Sequence, residues 1–323
     1  MLWTSLHKIK KARYITLNNF KNKISIKDSG VVFALSVFGT AVVSLFLSFI
    51  IAGIDGFLSD QKALQWVSGL VAQLIIIGCA VGYSIYSKIN LPTAVGAKNS
   101  LKLWQVALLL VLAFAVLCFM LPVQTFISNL LIKAGLSSPS GIIVDTTGDL
   151  VLALVIAAVL PSVCEETLYR GFLCNSFAKP GKKVDFSAVL VSSALFALMH
   201  MSPWQTIHPF VLGCIIAIVY LATRSIWAAV ILHFTNNALV LLLGYFLKGS
   251  FEAFVVANWW WIMIIALAII VPTLWLFVKK GHITQDATDE VMALRAVDRN
   301  KSLSFFTAGG VFCLFMWVFV IIG

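Results

Sequence analysis

Charge is what this sequence has least of. Only 11% of its 323 residues are Asp, Glu, Lys or Arg, while 61% are hydrophobic. Roughly a quarter of the residues in an ordinary soluble domain are charged, so this composition excludes a water-soluble fold. Other absences narrow the class further. No apolar–polar alternation marks the strands of a membrane β-barrel. Cys79, Cys118, Cys164, Cys174, Cys214 and Cys313 are scattered through apolar segments without paired spacing. They read as buried thiols, not as a disulfide framework or a paired-cysteine zinc site. No HExxH sequence occurs, and no internal repeat or low-complexity tract is evident. No short apolar core with a small-residue cleavage site opens the chain, so a removable signal peptide is not expected.

What is present is a succession of apolar runs near the ~20 residues that cross about 30 Å of hydrocarbon. They predict an all-α, polytopic transmembrane helix bundle of about eight or nine spans. These fall at 31–54, 63–87, 103–121, 148–176, 185–201, 209–223, 225–246, 259–278 and 303–322. The chain divides into a basic interfacial segment at 1–30, N-terminal spans at 31–147, a chemically distinctive core at 148–247 and C-terminal spans at 248–323. The N-terminal "LHKIKKARYITLNNFKNK" reads as an interfacial amphipathic segment. Pro122 is expected to end the third span, because proline lacks an N–H and clashes with the preceding turn, leaving 123–134 as a short interfacial helix. Trp259, Trp260 and Trp261 fit an aromatic belt. Asp145 and Asp149 are expected to cap the fourth span.

With the N-terminus cytoplasmic, twenty of the 23 Lys and Arg residues fall on the inner side, and only Lys62, Lys133 and Lys248 fall outside. This bias predicts a multi-pass protein of the cytoplasmic cell membrane with its N-terminus inside. The net charge of +10 is explained by these flanking residues and by anionic headgroups, so no nucleic-acid partner is expected.

The stretch "VLPSVCEETLYRG", Val159–Gly171, breaks the apolar pattern. Glu165 and Glu166 are the two acidic residues deep inside a span, where a charged side chain costs ~2.5–3.5 kcal/mol even on lenient scales. Adjacent helical positions diverge by about 100°, so the two carboxylates cannot do the same work. Glu166 precedes Arg170 by four residues, the favourable order for an ion pair. That leaves Glu165 for chemistry. Pro161 should kink the helix and free a backbone carbonyl one turn before Glu165.

Two further intramembrane pairs follow at i,i+4 spacing: Phe196 with His200 in "LFALMHM", and His233 with Asn237 in "ILHFTNNA". Folding the chain back at Ala178–Lys183 brings His200 within about one helical turn of the level of Glu165. A carboxylate base with a histidine can hold and deprotonate a water. A second histidine and an amide can stabilise a tetrahedral oxyanion. A hydrolase is therefore expected. His208, His282 and His7 are read as solvated or interfacial.

"EETLYR", "FALMH" and "HFTNN" match EExxxR, FxxxH and HxxxN, and in this order and spacing they resemble the CAAX protease and bacteriocin-processing family of intramembrane proteases, also described as type II CAAX prenyl endopeptidase-like. The resemblance covers about Asp149–Leu247. It implies peptide-bond hydrolysis within the membrane, with Glu165 as the catalytic glutamate and His200 as its water-binding partner. It also implies His233 and Asn237 as the oxyanion hole, Glu166 and Arg170 as the supporting pair, and a membrane-embedded or membrane-associated peptide as substrate.

Other chemistries use some of the same residues. Two histidines and a glutamate could ligate Zn²⁺ with an open water position. Against this, HExxH is absent and asparagine is a poor zinc ligand, so the expected cofactor is none, with zinc as the alternative. A thiol mechanism through Cys164 would need a polar, electropositive setting that an apolar helix does not offer. A non-catalytic immunity or adaptor protein would not need every motif position intact. A proton-relay transporter would be expected to show an inverted repeat, and none is seen.

Overall fold

The computed structural model describes residues 21–53, 61–137, 141–179, 181–281 and 289–322. The expected N-terminal amphipathic segment up to residue 20, together with His7 and His282, lies outside the described residues.

The described chain is helical throughout, and its one extended pairing is a bridge between Lys21 and Ile89. Helices α1 (Ile26–Gly53), α2 (Gln61–Tyr86) and α3 (Leu103–Lys133) come first, with a single turn at Leu91–Ala94 before α3. The segment Thr147–Phe177, here α4, is a composite of α- and π-helical stretches. Then follow α5 (Phe186–Leu198), a 3₁₀ turn at Pro203–Gln205, α6 (Ile207–Thr223), α7 (Ile226–Leu247), α8 (Ser250–Ala257), α9 (Trp259–Lys280) and α10 (Asp289–Ile322). Among the described residues, eight helices are long and apolar enough to cross a membrane. The fifth expected span is the 13-residue α5, about 20 Å long at 1.5 Å per residue and shorter than a full crossing. The chain is a multi-pass membrane protein.

Pro122 does not end the third helix. α3 runs unbroken through it for 31 residues, so 123–134 is the second half of a long span and not a separate interfacial helix. The hydrocarbon-length run and packing on α7 and α9 outweigh the loss of one backbone hydrogen bond.

Two ends of the bundle are legible from its bonds. At one, Lys21 N donates to Lys88 O (2.8 Å), Asn99 to the Arg224 carbonyl, Arg224 Nη2 to Lys182 O (3.2 Å) and Lys183 Nζ to Lys279 O (2.9 Å). Basic turns from five connections are therefore gathered together. Lys62 lies at the opposite end of α2, on Asp149 (2.6 Å) and Asp145 (3.3 Å). There Thr146 caps α4, its hydroxyl accepting from Asp149 N while Asp149 Oδ2 accepts from Thr146 N. Trp259 and Trp260 stand exposed at the start of α9.

α10 lies along α1, with Phe312 against Phe38 (5.2 Å) and Phe306 against Phe33 (5.9 Å). It is also tied to the turn before α6 by Trp317 Nε1 on Thr206 Oγ1 (2.8 Å). α5 and α6 form a close antiparallel pair. A side chain at Gly213 would meet Ser193 at 3.1 Å and Phe196 at 3.2 Å, so glycine is what lets α6 approach.

Candidate active site

The site is built around α4. Its α-helical start gives way to a π-helical stretch at Leu154–Val159, returns to α-helix at Leu160–Glu166, and widens again at Thr167–Cys174. The first π stretch lies immediately before Pro161, which has no N–H to offer the Ala157 carbonyl four residues earlier. That carbonyl accepts from Asn237 Nδ2 of α7 instead, at 3.0 Å. Pro161 thus frees a carbonyl as expected. The wider turn absorbs the defect, as π-bulges often do near functional sites.

Glu166 is wholly buried and holds two partners. Its Oε2 lies 3.0 Å from Arg170 Nε, and its Oε1 lies 2.7 Å from His233 Nδ1. The Arg170 contact is close but not aligned as a hydrogen bond, so charge attraction rather than directionality carries it. Arg170 also donates through Nη2 to the Gly213 carbonyl (3.4 Å), and its guanidinium stacks over the Phe196 ring at 4.8 Å. Phe196 is the hub of the site. Tyr169, His200 and His233 stand edge-on to it, at 5.0, 5.1 and 5.8 Å between ring centroids.

Glu165, on the neighbouring face of α4, accepts from Gln73 Nε2 of α2 at 2.8 Å. His200 lies in the turn just past α5, its Nδ1 on the Phe196 carbonyl at 3.0 Å. A carbonyl only accepts, so Nδ1 carries a hydrogen, and in the neutral ring Nε2 is then the nitrogen with the lone pair. Glu165, Phe196 and His200 stand where two chambers meet. The more polar one, of about 550 Å³, sets Gln73, Gln124, His208, His233, Asn236 and Asn237 into a lining that also includes Trp66, Ile156 and Leu241. The other, of about 700 Å³, is apolar and runs out between α1 and α10 past Phe38, Leu45, Met199, Phe312 and Met316.

The structure therefore brings all seven sequence-predicted side chains to one site. Gln73, His208 and Asn236 were not anticipated. His208, expected to be solvated or interfacial, instead belongs to the lining of the polar chamber, because α6 begins one residue before it and the first turn faces the chamber. A signal for Gln73 existed: it is the one amide at the centre of an otherwise apolar span. Cys164 is buried in the hydrophobic core and lines neither chamber. Among the described residues, no three His, Cys, Asp or Glu side chains are grouped so as to hold a metal ion.

Residues 146–239 match the family model described as type II CAAX prenyl endopeptidase Rce1-like. No curated protein and no solved structure matches the chain.

Proposed function

We propose that this chain, a membrane protein whose core belongs to the type II CAAX prenyl endopeptidase family, hydrolyses peptide bonds of membrane-associated peptides by a glutamate-activated water. The observation that carries the reading is the position of Glu165 and His200 at the junction of a polar and an apolar chamber. Water reaches such a pair from one side and an apolar substrate from the other.

With Oε1 held by Gln73, Glu165 offers its second oxygen to the water. His200 Nε2 accepts one water hydrogen and orients the lone pair, while Glu165 takes the other hydrogen as attack proceeds. A positioned pair of this kind contributes ~10²–10⁴-fold. The proton held on Glu165 then passes to the leaving amine, so no covalent intermediate is needed. Asn237 Nδ2 has a second hydrogen beyond the one given to Ala157, and it donates to the developing oxyanion. His233 can join it through Nε2 only with both ring nitrogens protonated, since Glu166 takes the Nδ1 hydrogen. Glu166 and Arg170 fix the orientation of His233.

The asymmetry of the Lys and Arg residues supports a location in the cytoplasmic membrane with the N-terminus inside. The test compares peptides from membranes carrying the wild type with those carrying Glu165→Gln, in which Gln73 keeps an oxygen partner. Peptides that disappear with Glu165→Gln, and whose release survives chelation, are expected; identical profiles would overturn the reading.

A further inference from the structure

Gln73 Oε1 and Gln124 Oε1, on two side chains lining the polar chamber, are buried polar atoms with no hydrogen-bond partner among the described residues, and in the same wall Asn236 and His208 lie against each other without a well-aligned bond to Asn236 Oδ1 or His208 Nε2. Leaving one such group unsatisfied costs ~1–3 kcal/mol, so several in one wall call for an explanation.

The chemistry of the amides is fixed by their other ends. Gln73 Nε2 donates to the Glu165 carboxylate (2.8 Å) and Gln124 Nε2 to the Trp204 carbonyl (2.8 Å). Asn237 gives its Nδ2 to the Ala157 carbonyl, so its Oδ1 is what accepts from Asn236 Nδ2 (3.3 Å). In each case the nitrogen is committed to an acceptor, and the orphan is a carbonyl oxygen, which can only accept. The terminal torsion of such an amide is soft, so the oxygen can turn toward the chamber, loosening the bond of the nitrogen in exchange for the new one. A ligand that displaces water from this wall must bring hydrogen-bond donors in its place, and those of a peptide are its main-chain N–H groups. A cation would look for carboxylates, and Glu165 is the single one in the lining. A helical segment has none to bring past its first turn, because its N–H groups there are bonded within the helix.

We infer that Gln124, Asn236 and Gln73 are positioning residues that accept main-chain N–H groups of a substrate peptide held extended and unwound. His208 Nε2 completes the wall and can take either role. This rests on the peptidase reading, and it adds that the protein selects unwound over helical segments beside the scissile bond.

The test uses the full-length Glu165→Gln protein in nanodiscs, incubated with a mixture of random octapeptides and with the same mixture methylated at every backbone nitrogen. Retention is read by mass spectrometry. The unmethylated mixture is expected to be retained about tenfold more strongly. Adding Gln124→Met or Asn236→Leu should lower its retention roughly 3- to 10-fold, while Gln124→Asn, which keeps both the amide donor for Trp204 and the acceptor, should recover part of it. Size-exclusion profiles identify any variant that fails to fold, and Gln124→Asn serves as the folded control for its site. Equal retention of the two mixtures, retention no better than on empty nanodiscs, or indifference to both substitutions would overturn the inference. Cleavage of the same mixture by the wild type separates the two readings. Glu165-dependent cleavage with retention blind to methylation sinks only this inference, whereas selective retention without cleavage sinks only the peptidase reading.

Discussion

Asn237 of α7 donates to the Ala157 carbonyl of α4 at 3.0 Å, and Ala157 is the residue whose helical acceptor role Pro161 leaves open. A backbone defect in one helix is thereby the anchor for a site residue on another. The π-helical stretch Leu154–Val159 is the local sign of it, and Asn236 beside Asn237 shares the same network.

Restoring the N–H should therefore disturb the site without unfolding the protein. Pro161→Ala lets residue 161 compete with Asn237 for the Ala157 carbonyl. The expected result is a loss of cleavage approaching the ~10²–10³-fold of a lost oxyanion donor, with a thermal midpoint within a few degrees of wild type. Peptide cleavage in nanodiscs and a thermal scan check both.

The Glu166–Arg170 pair is wholly buried, so removing one partner leaves the other charged and desolvated. Arg170→Met or Glu166→Gln alone should each destabilise by ~3–5 kcal/mol. The double variant should be less destabilised than the sum of the two. Denaturant unfolding in mixed micelles would show this coupling, and strict additivity would rule it out.

Asp185 supplies a pH dependence outside the spans. Burial pushes its carboxyl up, but bonds from the Lys179 amide (2.9 Å) and from the Ser187 amide and hydroxyl win, holding it below the usual carboxylate range. A depressed folded value means the stabilisation is complete above the unfolded pKa and fades as pH falls through the folded one. Asp185→Asn keeps an oxygen for the Ser187 amide but not for the Lys179 amide, so it should cost ~1–3 kcal/mol at pH 7, as for a group left unsatisfied, and the gap to wild type should narrow as pH falls below about 4. Thermal midpoints from pH 3 to 7 measure it.

Cys164 adjoins Glu165 in sequence but is packed in the core. Cys164→Ala should retain cleavage within a few fold and lose some stability, and thiol alkylation of the wild type should leave cleavage intact. Abolished cleavage in a folded Cys164→Ala protein would bring back the thiol mechanism.

The local pairings were legible from spacing because helical geometry fixes them. Glu166 faces Arg170 one turn on, and Phe196 faces His200, whatever surrounds the helix. The two prolines were not equally legible. Both remove one N–H, yet α3 passes straight through Pro122 while α4 widens ahead of Pro161. Which neighbour takes up a freed carbonyl depends on another helix.

By itself, then, the sequence determined the membrane class, the run of apolar helices and the residues that carry charge inside them, because hydropathy and helical period act along the chain. The tertiary structure alone decided that Glu166 also holds His233, that Gln73 holds Glu165, and that His208 and Asn236 line the polar chamber. These are contacts between helices dozens of residues apart. An amide or histidine in an apolar run carries the same hydropathy whether it faces lipid, a neighbour or a cavity, and only packing distinguishes the three.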